Sequence, residues 1–341
     1  MRIGVLAVAI ATLAIAGCSS SGTNTGSTST TKAAPTTKAA PPTTPVDQHG
    51  PLTTASRLGD VTTLDPCGLI DVSKLPADLN ATLSPEPSLD YCYLTAVAGG
   101  KAVSLGVGKL VSSLPNTITG QPEALDRGLA VRGGTLADDS CADAVELGDG
   151  AYLLSNVQVS PDRHAAAGSG VESLCQAAHD GAVDLVGVLL GSTPMRHRSV
   201  SASSLDKVKA CALLNGLNVD GFTLPAKADD PGGHSCQWFT PNDDPTVSPL
   251  PSYGIGFPVG SPVTNQGLTI AGRPTLRLGF DTPADGLSSC QIVTDQAPFG
   301  NGLVEQAEIT ILDRPGQQDQ ACLLATDLAG LAWPKLPLAA K

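Results

Sequence analysis

The chain has 341 residues, with 20 Lys and Arg against 32 Asp and Glu and a formal net charge of −12. That balance argues against nucleic-acid binding, which uses basic stripes, and against flat docking on anionic lipid. Aromatic residues make up 3% of the chain, so its cores have to be packed from Leu, Val, Ala and Ile.

The first 17 residues have three parts. Arg2 gives a positive start, Ile3 to Ile15 is an almost unbroken apolar run, and Ile15-Ala16-Gly17-Cys18 offers small residues for cleavage. This is the layout of a secretory signal peptide, and the run is too short to be a comfortable membrane span. With a cysteine directly after the cut, Ile-Ala-Gly-Cys resembles the lipobox of bacterial lipoproteins. The resemblance implies that residues 1–17 are removed, that the thiol of Cys18 carries a diacylglycerol, and that the membrane is the partner through that lipid. Each buried methylene contributes about 0.8 kcal/mol and one acyl chain holds only marginally, so a second chain on the amino group matters physically.

Residues 18–58 are expected to be the lipidated cysteine and a tether. From Ser19 to about Ala55 the chain is almost wholly Ser, Thr, Gly, Ala, Pro and Lys. With no apolar periodicity it does not bury enough surface to offset its ordering entropy, and its Thr and Pro residues favour an extended course. No later segment approaches 18 apolar residues, so no further span is expected.

The remaining chain, about 280 residues, is enough for two ordinary domains. A first module is expected over residues 59–194. Asp65 caps an opening helix with Pro66 in its first position, running through Leu69 and Ile70 towards Leu75 and stopping before Pro76. Strand-like stretches follow around Cys92 and over 103–107, 129–131 and 152–159, and a closing helix runs from Val171 to Leu190 with Leu174, Ala178, Leu185 and Leu189 apolar. A second module is expected over 195–341, with Ser203 or Ser204 capping a helix from Leu205 to Leu214. Its strands fall around Cys236 and over 253–257, 268–270, 275–278 and 307–312, and its closing helix runs from Gln320 to Trp333, ended by Pro334. The fold class is α+β: two tandem repeat modules, each an antiparallel sheet with an opening and a closing helix, stapled by disulfides.

The cysteines carry the repeat. Besides Cys18, eight fall at Cys67, Cys92, Cys141 and Cys175, then at Cys211, Cys236, Cys290 and Cys322. The gaps are 25, 49 and 34 residues in the first set and 25, 54 and 32 in the second, a period of about 145 residues. In an oxidising compartment even sets of cysteines read as disulfides, with three possible pairings for each four. The spacing does not choose among them. First with second and third with fourth is the pairing expected, because each bond then staples a helix to a strand. Loops of this length contribute about 3 to 4 kcal/mol each in the chain-entropy model.

Asp65-Pro66-Cys67-Gly68-Leu69-Ile70, Cys236-Gln237-Trp238, and Cys322 to Ala325 followed by Leu336-Pro337, together with the lipobox and the Thr/Pro tether, resemble the mycobacterial-type cell-envelope lipoproteins of unknown function. Abundant Ala, Gly and Pro fit the compositional bias of actinobacterial genomes. The first module departs from the pattern with Cys92-Tyr93-Leu94 in place of the Trp version, and the second lacks the Asp-Pro. The resemblance implies an envelope location at the outer face of the membrane and a fold; it implies no activity.

Motifs that carry chemistry are weak. There is no G-x-S-x-G, since Gly168-Ser169-Gly170 has the wrong spacing, and Gly106-Val107-Gly108-Lys109 lacks the Ser or Thr of a phosphate loop and reads as a strand end. Asp138-Asp139, Asp229-Asp230 and Asp243-Asp244 read as solvated loop charge, His179 as a helix surface residue, and Arg196-His197-Arg198 as a basic linker between modules. With no C-x-x-C and no helical His pair, no metal or cofactor is expected; His234, two residues before Cys236, comes nearest to a ligand. No catalytic residue is expected either. The expected function is non-enzymatic binding or scaffolding in the cell envelope, with an envelope protein or a lipid ligand as partner; a carrier of an apolar ligand and an envelope hydrolase are the alternatives.

Overall fold

The computed structural model describes residues 50–84, 87–137, 139–159, 171–215, 218–219, 222–223, 228–237, 247–260, 267–282, 287–313 and 316–338. The signal segment, Cys18 and most of the tether lie outside the described residues. Packing begins earlier than residue 59, because Leu52 and Leu58 are apolar enough to be drawn into the first core, where both are 0% exposed. Leu52 N donates to Arg127 O at 3.0 Å and Gly148 N to Leu52 O at 2.8 Å, so this segment is stitched to the sheet that follows.

Neither opening helix forms as expected. The first is replaced by short 3-10 turns at Pro66–Gly68, Val72–Lys74 and Ala77–Leu79. Asp65 and Asp71 each accept from the backbone two residues on, at Cys67 N and Ser73 N, so each aspartate starts a new turn in place of one continuous helix. Gly68 and Pro76 interrupt what propensity remains.

The first sheet has strands β1 (Thr82–Leu83), β2 (Cys92–Ala98), β3 (Lys101–Val111), β4 (Glu123–Ala124), β5 (Ala130–Ala137), β6 (Ser140–Glu146) and β7 (Tyr152–Val159), in the order β1-β2-β3-β7-β6-β5-β4, all antiparallel. Helix α1 (Val171–Leu190) lies across one face and buries Leu174, Ala178, Leu185 and Leu189 against it. Gly181 is needed here, since a Cβ at that position would collide with Ser155 Oγ on β7.

In the second half a 3-10 turn (Leu205–Lys207) and the short helix α2 (Ala210–Leu214) stand where one helix is expected, separated by extended backbone at Val208 and Lys209. Short pairs β8 (Asn218–Val219) with β9 (Phe222–Thr223) and β10 (Ala228–Asp229) with β11 (Cys236–Gln237) follow. The main sheet is β12 (Val247–Gly256), β13 (Gly267–Ile270), β14 (Arg273–Thr282), β15 (Leu287–Gly300) and β16 (Leu303–Asp313), in the order β12-β16-β15-β14-β13, and α3 (Gln318–Ala332) packs on it. That order matches β3-β7-β6-β5-β4 of the first sheet. A single bridge between Ser235 and Ser252 places β11 beside β12, as β2 lies beside β3.

Four disulfides, Cys67–Cys92, Cys141–Cys175, Cys211–Cys236 and Cys290–Cys322, each tie a turn or helix to a strand. Each half has an apolar core between sheet and helix, with Leu89 crossing over to the second, and a smaller cluster of Ile118, Ala142, Ala144 and Leu154 lies apart from both. Among the described residues no helix is long and apolar enough to cross a membrane.

Candidate functional site

Residues two apart on a strand share a face, and so do residues four apart on a helix. The bond between Cys141 on β6 and Cys175 on α1 therefore brings Asp143 opposite His179. His179 Nδ1 lies 2.9 Å from Asp143 Oδ2. An ionised carboxylate only accepts, so Nδ1 carries the proton and donates, and Nε2 is the nitrogen left to accept when the ring is neutral. The Asp143 side chain is 9% exposed and that of His179 44%. Burial pushes the Asp143 carboxyl above its usual range, while the hydrogen bond and charge of His179 pull it back.

The pair lines an open groove of about 420 Å³, bordered by Gln121, Glu123, Val131, Gly133, Glu172, Cys175 and Gln176. Gly133 sits across from Asp143 on β5, where a Cβ would lie 2.7 Å from Asp143 Oδ1. Glycine is what allows the carboxylate to lie flat under the groove. The matching positions of the second half, two after Cys290 and four after Cys322, hold Ile292 and Thr326. Ile292 is 0% exposed, and the Thr326 hydroxyl donates to its own helix at Cys322 O, 2.7 Å away. The sheet-and-helix arrangement is thus built in one half with an apolar side chain at the position that carries a carboxylate in the other.

A second polar cluster joins the halves. His234 is 2% exposed, with Nδ1 2.6 Å from Asp90 Oδ1. Its Nε2 is 3.2 Å from Asp206 Oδ1 but poorly aligned, so this contact is an ion pair rather than a hydrogen bond. Arg198 Nη2 meets the same Asp206 oxygen at 3.0 Å, and Nη1 donates to Leu89 O at 3.2 Å. Burial by itself would lower the imidazolium pKa, but contacts with Asp206 and Asp90 outweigh it and raise the group to about 9. Asp90 is driven up by burial and brought below its ordinary value by the His234 bond and charge. Burial, followed by the Asp90 charge, pushes Asp230 up to about 6. A cavity of about 20 Å³ among Asp90, Asp230 and His234 has room for about one water. With the His234 and Asp206 side chains 2% and 1% exposed, this cluster acts as a lock between the halves.

Several expectations are corrected by these positions. His179 is not a plain surface residue but half of a carboxylate–imidazole pair. His234 is buried between two aspartates. Arg198 is drawn out of the expected basic linker by Asp206, whereas Arg196 keeps an exposed contact with Asp65 at 3.4 Å. Gly106 to Lys109 lies inside β3, at a bulge, not at a strand end. Asp230 is half-buried at the joint, and Asp139 is exposed as expected. Asp138, Asp243, Asp244 and the Gly168-Ser169-Gly170 stretch lie outside the described residues. Among the described residues no group of three or more His, Cys, Asp or Glu side chains is placed to hold a metal.

Sequence reasoning missed Asp143, although a signal existed: once Cys141 and Cys175 are paired, the helix and strand periods place residues 143 and 179 face to face. The joint had no such signal. No protein family, curated protein or solved structure matches the chain.

Proposed function

We propose that the chain is a lipid-anchored protein of the bacterial cell envelope, held at the outer face of the membrane through Cys18, whose two tandem modules present one binding groove for a small polar ligand. The lipobox-like residues before Cys18 support the anchor, and the other eight cysteines are used in disulfides. The tandem reading rests on matched cysteine spacing, shared strand order and equivalent helix-to-strand bonds.

The observation that carries the binding role is the Asp143–His179 pair, facing an open groove in one half where the other half has Ile292 and Thr326. A buried carboxylate costs free energy to desolvate, and the same scaffold position works without one. Nε2 of His179, the amides of Gln121 and Gln176 and the carboxylates of Glu123 and Glu172 converge on the groove as polar groups, beside apolar surface to which Val131 contributes. The convergence of one imidazole, two amides and three carboxylates on it favours a ligand carrying polar groups over the lipid-carrier alternative.

The test is to purify the full chain from its native membrane and search for co-purified small molecules by mass spectrometry, beside Asp143→Asn and His179→Gln. A polar molecule held by the native chain and lost from both variants is expected; identical content in all three contradicts the reading. A hydrolase is the second reading, favoured by the same pair, since an imidazole oriented by a carboxylate with its other nitrogen open is what a general base acting on water requires. Turnover of a panel of small esters that disappears in His179→Gln distinguishes it from simple binding.

A further inference from the structure

We infer that Cys141–Cys175 is the exchange-reactive disulfide of this chain, open to attack at Cys175 Sγ by a thiol entering the groove. The inference does not depend on what else the groove binds. It stands on the unequal cover of four bonds that the fold otherwise places alike.

On the strand side all four cysteines are sealed, with Cys92 and Cys290 0% exposed, Cys141 1% and Cys236 3%. On the helix or turn side Cys211 and Cys322 are also buried, at 8% each, while Cys67 and Cys175 are half-buried. Cys67 sits in a turn covered by Arg196, whose Nη2 donates to Cys67 O at 2.6 Å and whose side chain packs on Gly68. Cys175 instead lines the groove.

The contrast is sharpest between the two matched bonds. Beside Cys290 on the neighbouring strand stands Gly279, and the Gln318 side chain lies directly over it, filling the place a Cβ would take. Beside Cys141 stands Thr135, an exposed residue whose Oγ1 is 3.9 Å from each of the two sulfurs. A glutamine roofs the second bond; the first has a short hydroxyl next to it and the groove on its Cys175 side.

Exchange needs an approach to one sulfur along the S–S axis, and the sulfur that can be reached decides which bond reacts. A thiolate in the groove forms a new S–S bond to Cys175. The Cys141–Cys175 bond breaks, its electron pair stays on Cys141 Sγ, and that thiolate takes a proton from water. A second thiol of the same attacker then attacks the attacker's own sulfur in the mixed disulfide and releases Cys175 as a thiol. The attacker leaves oxidised to a disulfide, and Cys141 and Cys175 are left reduced. The co-reactant is therefore a dithiol, of the kind carried by an exported thiol–disulfide exchange protein.

The oxidised full chain, given limiting dithiothreitol and trapped with N-ethylmaleimide, reports by peptide mapping which cysteines open first. Cys141 and Cys175 are expected to label at least about ten-fold faster than the other six. With the monothiol glutathione as attacker, the trapped adduct is expected on Cys175 and the maleimide on Cys141. In denaturant the preference is expected to vanish, because it comes from cover and not from local sequence. Opening of all four bonds together, earlier opening of another bond, a glutathione adduct on Cys141, or a preference that persists in denaturant would each overturn the inference.

Discussion

At the scale of single residues, two histidines illustrate opposite uses of the same side chain. His179 keeps one nitrogen towards solvent and depends on a neighbour that has no side chain at all. Gly133→Ala is expected to push Asp143 away, break the 2.9 Å contact with His179, and destabilise the chain by about 1–3 kcal/mol, as overpacking does. Thermal melting together with the His179 proton signal checks this. His234, by contrast, is enclosed. Its pKa lies above the ordinary histidine value, at about 9, so its stabilisation is complete below about 6.5 and is lost as pH rises through about 9. The effect amounts to roughly 3 kcal/mol. Asp90 shifts the other way, so its contribution is present above its ordinary carboxylate range and is lost as pH falls below it. Denaturant unfolding of the native chain should weaken between pH 7 and 10, about as predicted by the His234 linkage, and His234→Gln should remove that slope while costing about 3–5 kcal/mol at neutral pH. An unchanged slope in the variant would show that His234 is not the group responsible.

Among secondary-structure elements, what could be read from the chain depended on whether one face met water. Helix α1 starts and ends where its 3.6-residue apolar period does, and β16 alternates, with Ala307, Ile309 and Ile311 at 0% exposure. Strand β6 was invisible because Cys141, Ala142, Asp143, Ala144 and Val145 are all buried, so the two-residue alternation that marks a half-exposed strand is missing. The first opening helix failed for a local reason: Asp65, legible as a cap, starts one turn and Asp71 starts another, so the chain restarts instead of continuing. Equivalence of the two scaffolds can be tested by exchange of the rung. Ile292→Asp should cost several kcal/mol, on the order of 3 or more, because the carboxylate is buried without a partner. Adding Thr326→His should restore part of that loss in denaturant unfolding; no restoration would mean that the matched positions do not face each other.

For the whole molecule, two halves with cores of their own meet at a joint where Leu89 and the charges of Asp90, Asp206, Arg198 and His234 come together. The disulfide pairing was foreseeable from helix-to-strand logic, and with it the Asp143–His179 pair. The joint was not, because Asp90 and His234 are 144 residues apart and neither stands in a recognisable motif. Cys18→Ser is expected to move the protein from the membrane pellet to the soluble fraction while leaving its melting unchanged, since residue 18 precedes every residue of either core; retention in the pellet would remove the lipid as the anchor. The central claim is that the groove beside α1 is the working site and the joint is structural. Histidine proton NMR of the full chain, titrated with a small-molecule extract of its own cell envelope, tests this most directly. The prediction is that the His179 signal moves in a saturable way and the His234 signal stays fixed. A fixed His179 signal, or movement at His234 in its place, would contradict it.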